Sequence, residues 1–109
     1  MKINLEEHTG DGSLSLAQSG SVHTNRGATS TVTLTLPDSA EEGTVFTFAV
    51  QVNQEFRIDP GNSAIIDDCG QTAGKYKVAS SIGAVLGVIA DTNGNWATIN
   101  KNGTWSEES

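Results

Sequence analysis

Hydrophobic and polar residues alternate with a period of two along much of this chain, most clearly in residues 31–36 and 45–52. Side chains that recur at every second position share one face of a β-strand. A third segment, residues 84–90, is apolar on both faces. We predict a strand in each segment, and the predicted core is Val32, Leu34, Leu36, Phe46, Phe48, Val50, Leu86 and Val88.

The apolar segment at residues 84–90 suits a buried central strand or a buried helix, and its β-branched content with the flanking Gly83 and Asp91 favours the strand. Gly87 lies inside it, which indicates a bulge or a close approach of another backbone. Residues 91–95 contain Asn-Gly and are typical of a hairpin turn. Asn102 and Gly103 predict a second turn that closes a terminal hairpin.

About eight short strands separated by turn residues predict an all-β fold: a compact antiparallel β-sandwich, a jelly-roll-like fold or a small β-barrel. We place a single β domain at residues 13–109, beginning with a strand in which Leu14 and Leu16 alternate with serines. Residues 1–12 are expected to form an N-terminal arm. This arm is either flexible or becomes ordered only against a neighbouring subunit.

Composition narrows the class of protein. The 109 residues suffice for one core, and the twelve glycines suit strands and turns better than a helical bundle. Thirteen acidic and six basic residues give a net charge of −7, which repels phosphate backbones, so we expect no nucleic-acid partner. No apolar run approaches the roughly 20 residues of a membrane span, so we expect no membrane partner.

The first residues carry two acids and lack the apolar stretch of a secretory signal, which predicts synthesis in the cytoplasm. Cys69 is the only cysteine, so no intrachain disulfide forms. Because Asp67 and Asp68 precede it, the pKa of its thiol would be raised, and we interpret Cys69 as structural rather than catalytic.

We predict no catalytic, cofactor-binding or metal-binding residues, and therefore no enzyme. Fifteen residues separate His8 from His23 and no further His or Cys lies near them, so both are interpreted as surface or interface polarity. Residues 70–76 and 91–95 lack the spacing of phosphate and calcium loops. Trp96 and Trp105 could stack on a sugar, although packing in a hairpin core is favoured.

A set of sequence features between about Gly20 and Trp105 resembles a short β domain that recurs in virion proteins of tailed bacteriophages. The features are residues 21–29 (SVHTNRGAT), the Thr-rich strand that ends in Leu-Pro, Gly43 before the Phe-rich strand, residues 56–60 (FRIDP), Trp96, and residues 103–105 (GTW). The resemblance implies a head-decoration, head-fibre or tail-fibre protein, typically trimeric and without catalytic residues.

The expected function is that of a capsid decoration (cement) protein, made in the host cytoplasm and bound to the outer surface of a phage head. Its expected partners are the major capsid protein and two further copies of itself in a homotrimer that stabilises the shell. A receptor-binding or carbohydrate-binding tip domain of a phage fibre is the alternative, whereas a small hydrolase would need a catalytic triad or dyad. The expected capsid and subunit interface is Ile3, Leu5, Leu14, Leu16 and His23.

Overall fold

The protein is all-β, as the periodicity predicts, and its strands form two packed sheets. The computed structural model describes residues 2–109. The strands are β1 (Leu5–Glu7), β2 (Gly12–Ser13), β3 (Val22–Thr24), β4 (Val32–Thr35), β5 (Val45–Ala49), β6 (Phe56–Asp59), β7 (Ile65–Ile66), β8 (Lys77–Ala79), β9 (Val85–Ala90), β10 (Trp96–Asn102) and β11 (Ser106–Glu107).

Consecutive strands alternate between the two sheets from β1 to β9. The first sheet has the order β1-β3-β5-β9-β10-β7, and the second has the order β11-β8-β6-β4-β2. A strand in one sheet therefore serves as the crossover between two strands of the other sheet, and such a crossover permits parallel pairing. The expectation of an antiparallel fold is wrong for β1-β3-β5, β2-β4-β6 and β7-β10, which pair in parallel.

The hydrophobic core lies between the sheets. The eight side chains predicted for it are at most 2% exposed, and Phe56, Ile58, Ile65, Trp96 and Trp105 join them. Phe48 of β5 meets Phe56 of β6 edge to face across the two sheets, with ring centroids 6.1 Å apart. Burial of each such side chain contributes roughly 1.5–3 kcal/mol to the free energy of unfolding.

The hairpin β9–β10 has both features that the sequence indicates. Asp91 Oδ1 accepts hydrogen bonds from the backbone N–H groups of Asn93 and Asn95, at 2.8 and 2.9 Å, and closes the turn. The register of β10 shifts between Thr98 and Asn100, opposite Gly87. A Cβ atom at Gly87 would lie 3.1 Å from Asn100 Cβ, so glycine permits the close approach at this bulge.

The N-terminal segment differs from the expected arm, because β1 and the first residue of β2 lie within it and both strands belong to the body of the fold. β1 pairs in parallel with β3, and β2 pairs in parallel with β4. The predicted strand that begins at residue 13 and includes Leu14 and Leu16 is also wrong. The observed strand ends at Ser13, and Leu16–Gln18 forms a 3₁₀ turn. Gln18 Oε1 accepts the backbone N–H of Ser15 at 2.7 Å, which offers this backbone a partner other than a sheet.

The C-terminal segment does not form the expected hairpin. β10 belongs to the first sheet and β11 to the second, so the turn at Asn102 and Gly103 carries the chain across the core. Trp105 is buried at this crossing, and its Nε1 donates to the carbonyl oxygen of Asn102 at 3.1 Å. Within residues 2–109, no helix has the length and apolar character needed to cross a membrane.

Candidate functional site

The parallel pairing of β1 with β3 brings the two histidines into contact. Glu6 lies opposite His23 in this pairing, and His8, which directly follows β1, comes two residues after Glu6. His8 Nε2 lies 2.9 Å from His23 Nδ1. Distance in sequence suggested two separate histidines, and that interpretation is wrong because parallel strands join positions that are remote along the chain. We call Glu6, His8, Gln18, Ser21 and His23 the histidine cluster.

A directed chain of hydrogen bonds fixes the protons of this cluster. Ser21 Oγ lies 2.6 Å from the carbonyl oxygen of Gln18, which can only accept, so the hydroxyl donates there. Ser21 Oγ therefore accepts from Nε2–H of His23, which lies 2.6 Å away. His23 Nδ1 is then left as an acceptor, and it receives Nε2–H of His8. The geometry thus assigns the Nε2–H tautomer to both neutral rings.

The carboxylate of Glu6 is held beside the two rings by amide groups. Gln18 Nε2 donates to both of its oxygens, at 2.8 and 3.0 Å, and Asn4 Nδ2 donates to Oε2 at 3.0 Å. One ligand atom from each of Glu6, His8 and His23 lies within 4.8 Å of the other two. Gln18 supports both sides of the cluster, because its carbonyl oxygen accepts from Ser21 while its side chain holds Glu6.

Burial keeps the two imidazoles neutral. Loss of hydration lowers the pKa of His23 below 6.5, and the neighbouring His8 lowers it further, whereas Glu6 opposes the shift. Burial also lowers the pKa of His8, again against Glu6. Phe46 and Phe48 surround His23, with ring centroids 5.9 and 5.7 Å from the imidazole.

The expected interface residues divide into two groups. His23 is fully buried and Leu14 is 5% exposed, so neither offers a surface to a partner, and the expectation for both is corrected. Both lie in the interior of this chain because β1 and β2 pair within the body. Ile3, Leu5 and Leu16 are instead 64%, 58% and 43% exposed.

Ile3 and Leu5 lie at the open edge of the first sheet, whereas Ile82 and Ile99 are comparably exposed elsewhere, at 62% and 57%. β1 is the terminal strand of this sheet and pairs on one side only. Ile3 also lines a shallow groove of about 480 Å³ beside the 3₁₀ turn, together with residues 17–21. Leu16 lies at the start of the same turn. We call Ile3, Leu5 and Leu16 the N-terminal edge.

The distance between Ser21 and His23 is that of a serine–histidine dyad, an arrangement that the sequence did not predict. The contact does not have the chemistry of a catalytic dyad. A nucleophilic serine must give its proton to the histidine. The Ser21 hydroxyl instead donates to the carbonyl oxygen of Gln18 and is 2% exposed, so Oγ is neither activated nor open to a substrate.

A second polar cluster lies between β8 and the C-terminus. Lys77 is fully buried, and its Nζ donates to Glu107 Oε1 and to the carbonyl oxygen of Gly70, each at 2.8 Å. The hydrogen bond from Lys77 holds the pKa of Glu107 below 4.5. Nearby, Lys101 Nζ lies 2.9 Å from Asp67 Oδ2. We call Asp67, Gly70, Lys77, Lys101 and Glu107 the lysine cluster.

Cys69 lies beside the lysine cluster, and the sequence interpretation of an unreactive thiol agrees with its surroundings. Burial raises the pKa of the Cys69 thiol, and its hydrogen bond to Asp67 Oδ2, at 3.3 Å, raises it further. A thiol that stays protonated is a poor nucleophile.

The two tryptophans are core residues. Trp96 is 2% exposed and packs against Phe46 with ring centroids 5.9 Å apart, and Trp105 is 3% exposed. The packing role that the sequence favoured is therefore correct, and neither indole offers a face to a sugar.

No protein-family model matches the chain, and no curated protein matches it.

Proposed function

We propose that this chain is a structural virion protein that decorates the outer surface of a phage head, where it binds the major capsid protein as a homotrimer and stabilises the shell. The observation that supports this proposal is the N-terminal edge, where Ile3, Leu5 and Leu16 expose large apolar side chains at or near the open edge of β1. Apolar side chains at the edge of a sheet suit contact with another protein.

The N-terminal edge is suited to docking because the body of the protein holds it in place. The backbone N–H of His8 donates to the carbonyl oxygen of Thr24, and Val22 N–H donates to that of Asn4, both at 2.9 Å. A preorganised strand loses little conformational entropy on binding. Three such edges in one trimer would convert weak single contacts into firm attachment.

The alternative of a carbohydrate-binding fibre tip loses its candidate residues, since Trp96 and Trp105 are buried. The resemblance to phage virion domains is common to both functions, and the N-terminal edge is the observation that favours decoration. The proposal includes a non-enzymatic role and a location on the virion exterior, without nucleic-acid or membrane contact.

Binding to heads tests the proposal. Heads that lack this protein, from a phage whose genome encodes it, would be mixed with purified chain and sedimented. We expect Ile3→Ser and Leu5→Ser each to weaken binding at least about tenfold, which corresponds to roughly 1.4 kcal/mol.

Ile99→Ser is the matched control, because Ile99 is 57% exposed on β10, at the bulge of the hairpin and outside the N-terminal edge. This variant should bind like the wild type. Unchanged binding of the Ile3 and Leu5 variants, or equal loss in the control, would contradict the proposed surface. Light scattering should give three times the chain mass of 11.4 kDa, and a monomer at all concentrations would contradict the trimer.

A further inference from the structure

We propose that Glu6, His8 and His23 form a binding site for a divalent transition-metal ion, with Zn²⁺ as the ion that best fits the donor set. Two imidazole nitrogens and one carboxylate oxygen are the donors of three-ligand zinc sites. One donor atom from each of these residues lies within 4.8 Å of the others. The inference rests on this geometry and not on the proposed role at the phage head.

The donor nitrogens of the two imidazoles face each other. His8 Nε2 and His23 Nδ1 are 2.9 Å apart, and a single proton lies between them. A zinc ion at 2.0–2.1 Å from both nitrogens, with tetrahedral angles, places them roughly 3.3 Å apart. The ion would replace this proton, which moves to Nδ1 of His8 so that the ring stays neutral, once the two nitrogens separate by about 0.4 Å and the rings tilt toward the ion. His8 is only half-buried and lies at the end of β1, so its ring can make this shift.

Supporting hydrogen bonds hold His23 and Glu6 in the form that binds a metal. Ser21 Oγ accepts Nε2–H of His23, which leaves Nδ1 of that ring free to coordinate. Gln18 Nε2 holds the carboxylate of Glu6. Such outer partners orient metal ligands and fix the histidine tautomer. Gln18 also accepts the Ser21 hydroxyl proton, so a single residue supports ligands on both strands.

The site has an apolar side and an open side. Phe46 and Phe48 enclose His23 from the core. Glu6 and His8 are half-buried, which gives an ion access from solvent. Three protein ligands leave the fourth position of a tetrahedral ion to water or to a donor from another molecule. Because Glu6 lies on β1, His8 directly follows β1 and His23 lies on β3, the bound ion would fasten the edge strand to its neighbour.

Titration calorimetry of the full chain with ZnCl₂, after removal of metals with a chelator, tests the proposal. We expect saturable binding with one ion per chain and a rise of the melting temperature with zinc concentration. With Co²⁺ in place of Zn²⁺, visible absorption bands of a tetrahedral ion should appear. No saturable heat and no shift of the melting temperature at millimolar zinc would overturn the proposal.

Variants assign the ligands. His8→Ala and Glu6→Gln should each weaken zinc binding at least about tenfold, the loss typical of damage to a metal site. Glu7→Gln is the matched control, because it removes the same charge from an exposed position on β1 and should change the affinity less than about twofold. Circular dichroism checks that each variant folds, and because Glu6 is half-buried its variant keeps the test valid if the His8 variant is damaged.

A competing location is also tested, because Asp67, Asp68 and Cys69 are grouped closely enough to hold an ion. Cys69→Ser should leave zinc binding unchanged. Binding that persists in His8→Ala and Glu6→Gln but disappears in Cys69→Ser would overturn the assignment.

Discussion

The histidine cluster near the N-terminus and the lysine cluster near the C-terminus have the same structural role: each attaches a short strand near a chain end to the body of the fold. Each contains a titratable side chain with no exposed surface, His23 on β3 and Lys77 on β8. Each joins a short strand near a terminus to the body, since His23 contacts His8 just beyond β1 and Lys77 contacts Glu107 of β11. Short edge strands have few ladder hydrogen bonds, and these side-chain contacts add to them.

The two clusters differ in how the buried group is satisfied. Lys77 meets a carboxylate, so its charge is balanced within the protein. His23 meets a second imidazole, and the pair has no room for two positive charges 2.9 Å apart. A buried charge is tolerated when it is paired with an opposite charge. An imidazole avoids the free-energy cost of burying a charge by staying neutral. The lysine cluster is therefore a closed ion pair, whereas the histidine cluster contains two neutral rings joined by one hydrogen bond, where we propose the metal site.

The largest expected loss of stability comes from disruption of the aromatic packing around His23. Among the described residues, no comparable aromatic packing surrounds Lys77. Phe48→Ala should lower the free energy of unfolding by about 3–5 kcal/mol, because the ring is fully buried between the sheets. Urea denaturation measures the change. Val78→Ala, at a half-buried position beside Lys77, is the control and should cost less than half as much. Equal losses would show that the core is not centred on the aromatic cluster.

Removal of one partner from the lysine cluster should cause the next largest loss of stability. Glu107→Gln leaves the ammonium of Lys77 buried without a counter-charge, whereas Lys77→Met replaces the lysine with an apolar side chain. We expect Glu107→Gln to lower the melting temperature more than Lys77→Met does. The double variant should be more stable than Glu107→Gln alone. A double variant less stable than both single variants would contradict the role of uncompensated charge.

Gly70→Ala should give a smaller loss through the same ion pair. Gly70 has φ 152°, and a Cβ atom there would collide with the carboxylate of Glu107. Displacement of this carboxylate weakens its contact with Lys77, although the end of a glutamate side chain can adjust. Because both substitutions act on one contact, the losses of Gly70→Ala and Glu107→Gln should not add. Additive losses in thermal unfolding would show that Gly70 acts independently of Glu107.

The two clusters should also lose stability in different pH ranges. In metal-free buffer, the lowered pKa values of His8 and His23 mean that the unfolded chain binds more protons as the pH falls below 6.5. The stabilisation by this pair is therefore complete above pH 6.5 and is lost below it, with Glu6 opposing the loss. The lowered pKa of Glu107 gives a contribution that is present above pH 4.5 and is lost as the pH falls through its folded-state pKa.

Denaturation with urea at a series of pH values separates the two ranges. His8→Gln should flatten only part of the decline between pH 7 and 5, because burial still lowers the pKa of His23, and should leave the decline below pH 4.5. Glu107→Gln should leave the decline between pH 7 and 5 and reduce the decline below pH 4.5. Part of the decline below pH 4.5 should remain, because hydrogen bonds lower the pKa of Asp67 more than its burial raises it. A wild-type curve without any decline above pH 4.5 would contradict the neutral histidine pair.

The sequence predicts those parts of the structure that depend on local alternation. Val32, Leu34, Phe46 and Phe48 are buried because strict period-two patterns place them on one face. The bulge opposite Gly87 was also visible, since glycine inside an apolar strand permits a close approach. Such features are encoded within a few residues of one another.

The features that the sequence did not predict depend on strand order. Nothing in the sequence near Glu6 indicates that it pairs with His23, because parallel pairing through a second sheet joins positions without a local signal. Lys77 is similar, because a lysine on the core face of β8 became credible only once Glu107 was placed beside it. The SxH spacing of Ser21 and His23 was the one available hint, because residues two apart in a strand share a face.

The most direct test of the proposed function is electron cryomicroscopy of the phage particles that carry this protein. We predict trimeric density on the outside of the head, with the N-terminal edge, and so Ile3 and Leu5, against the capsid protein and the hairpin β9–β10 away from it. Density located on the tail, or attached to the head through the hairpin with Ile3 and Leu5 facing solvent, would contradict the account.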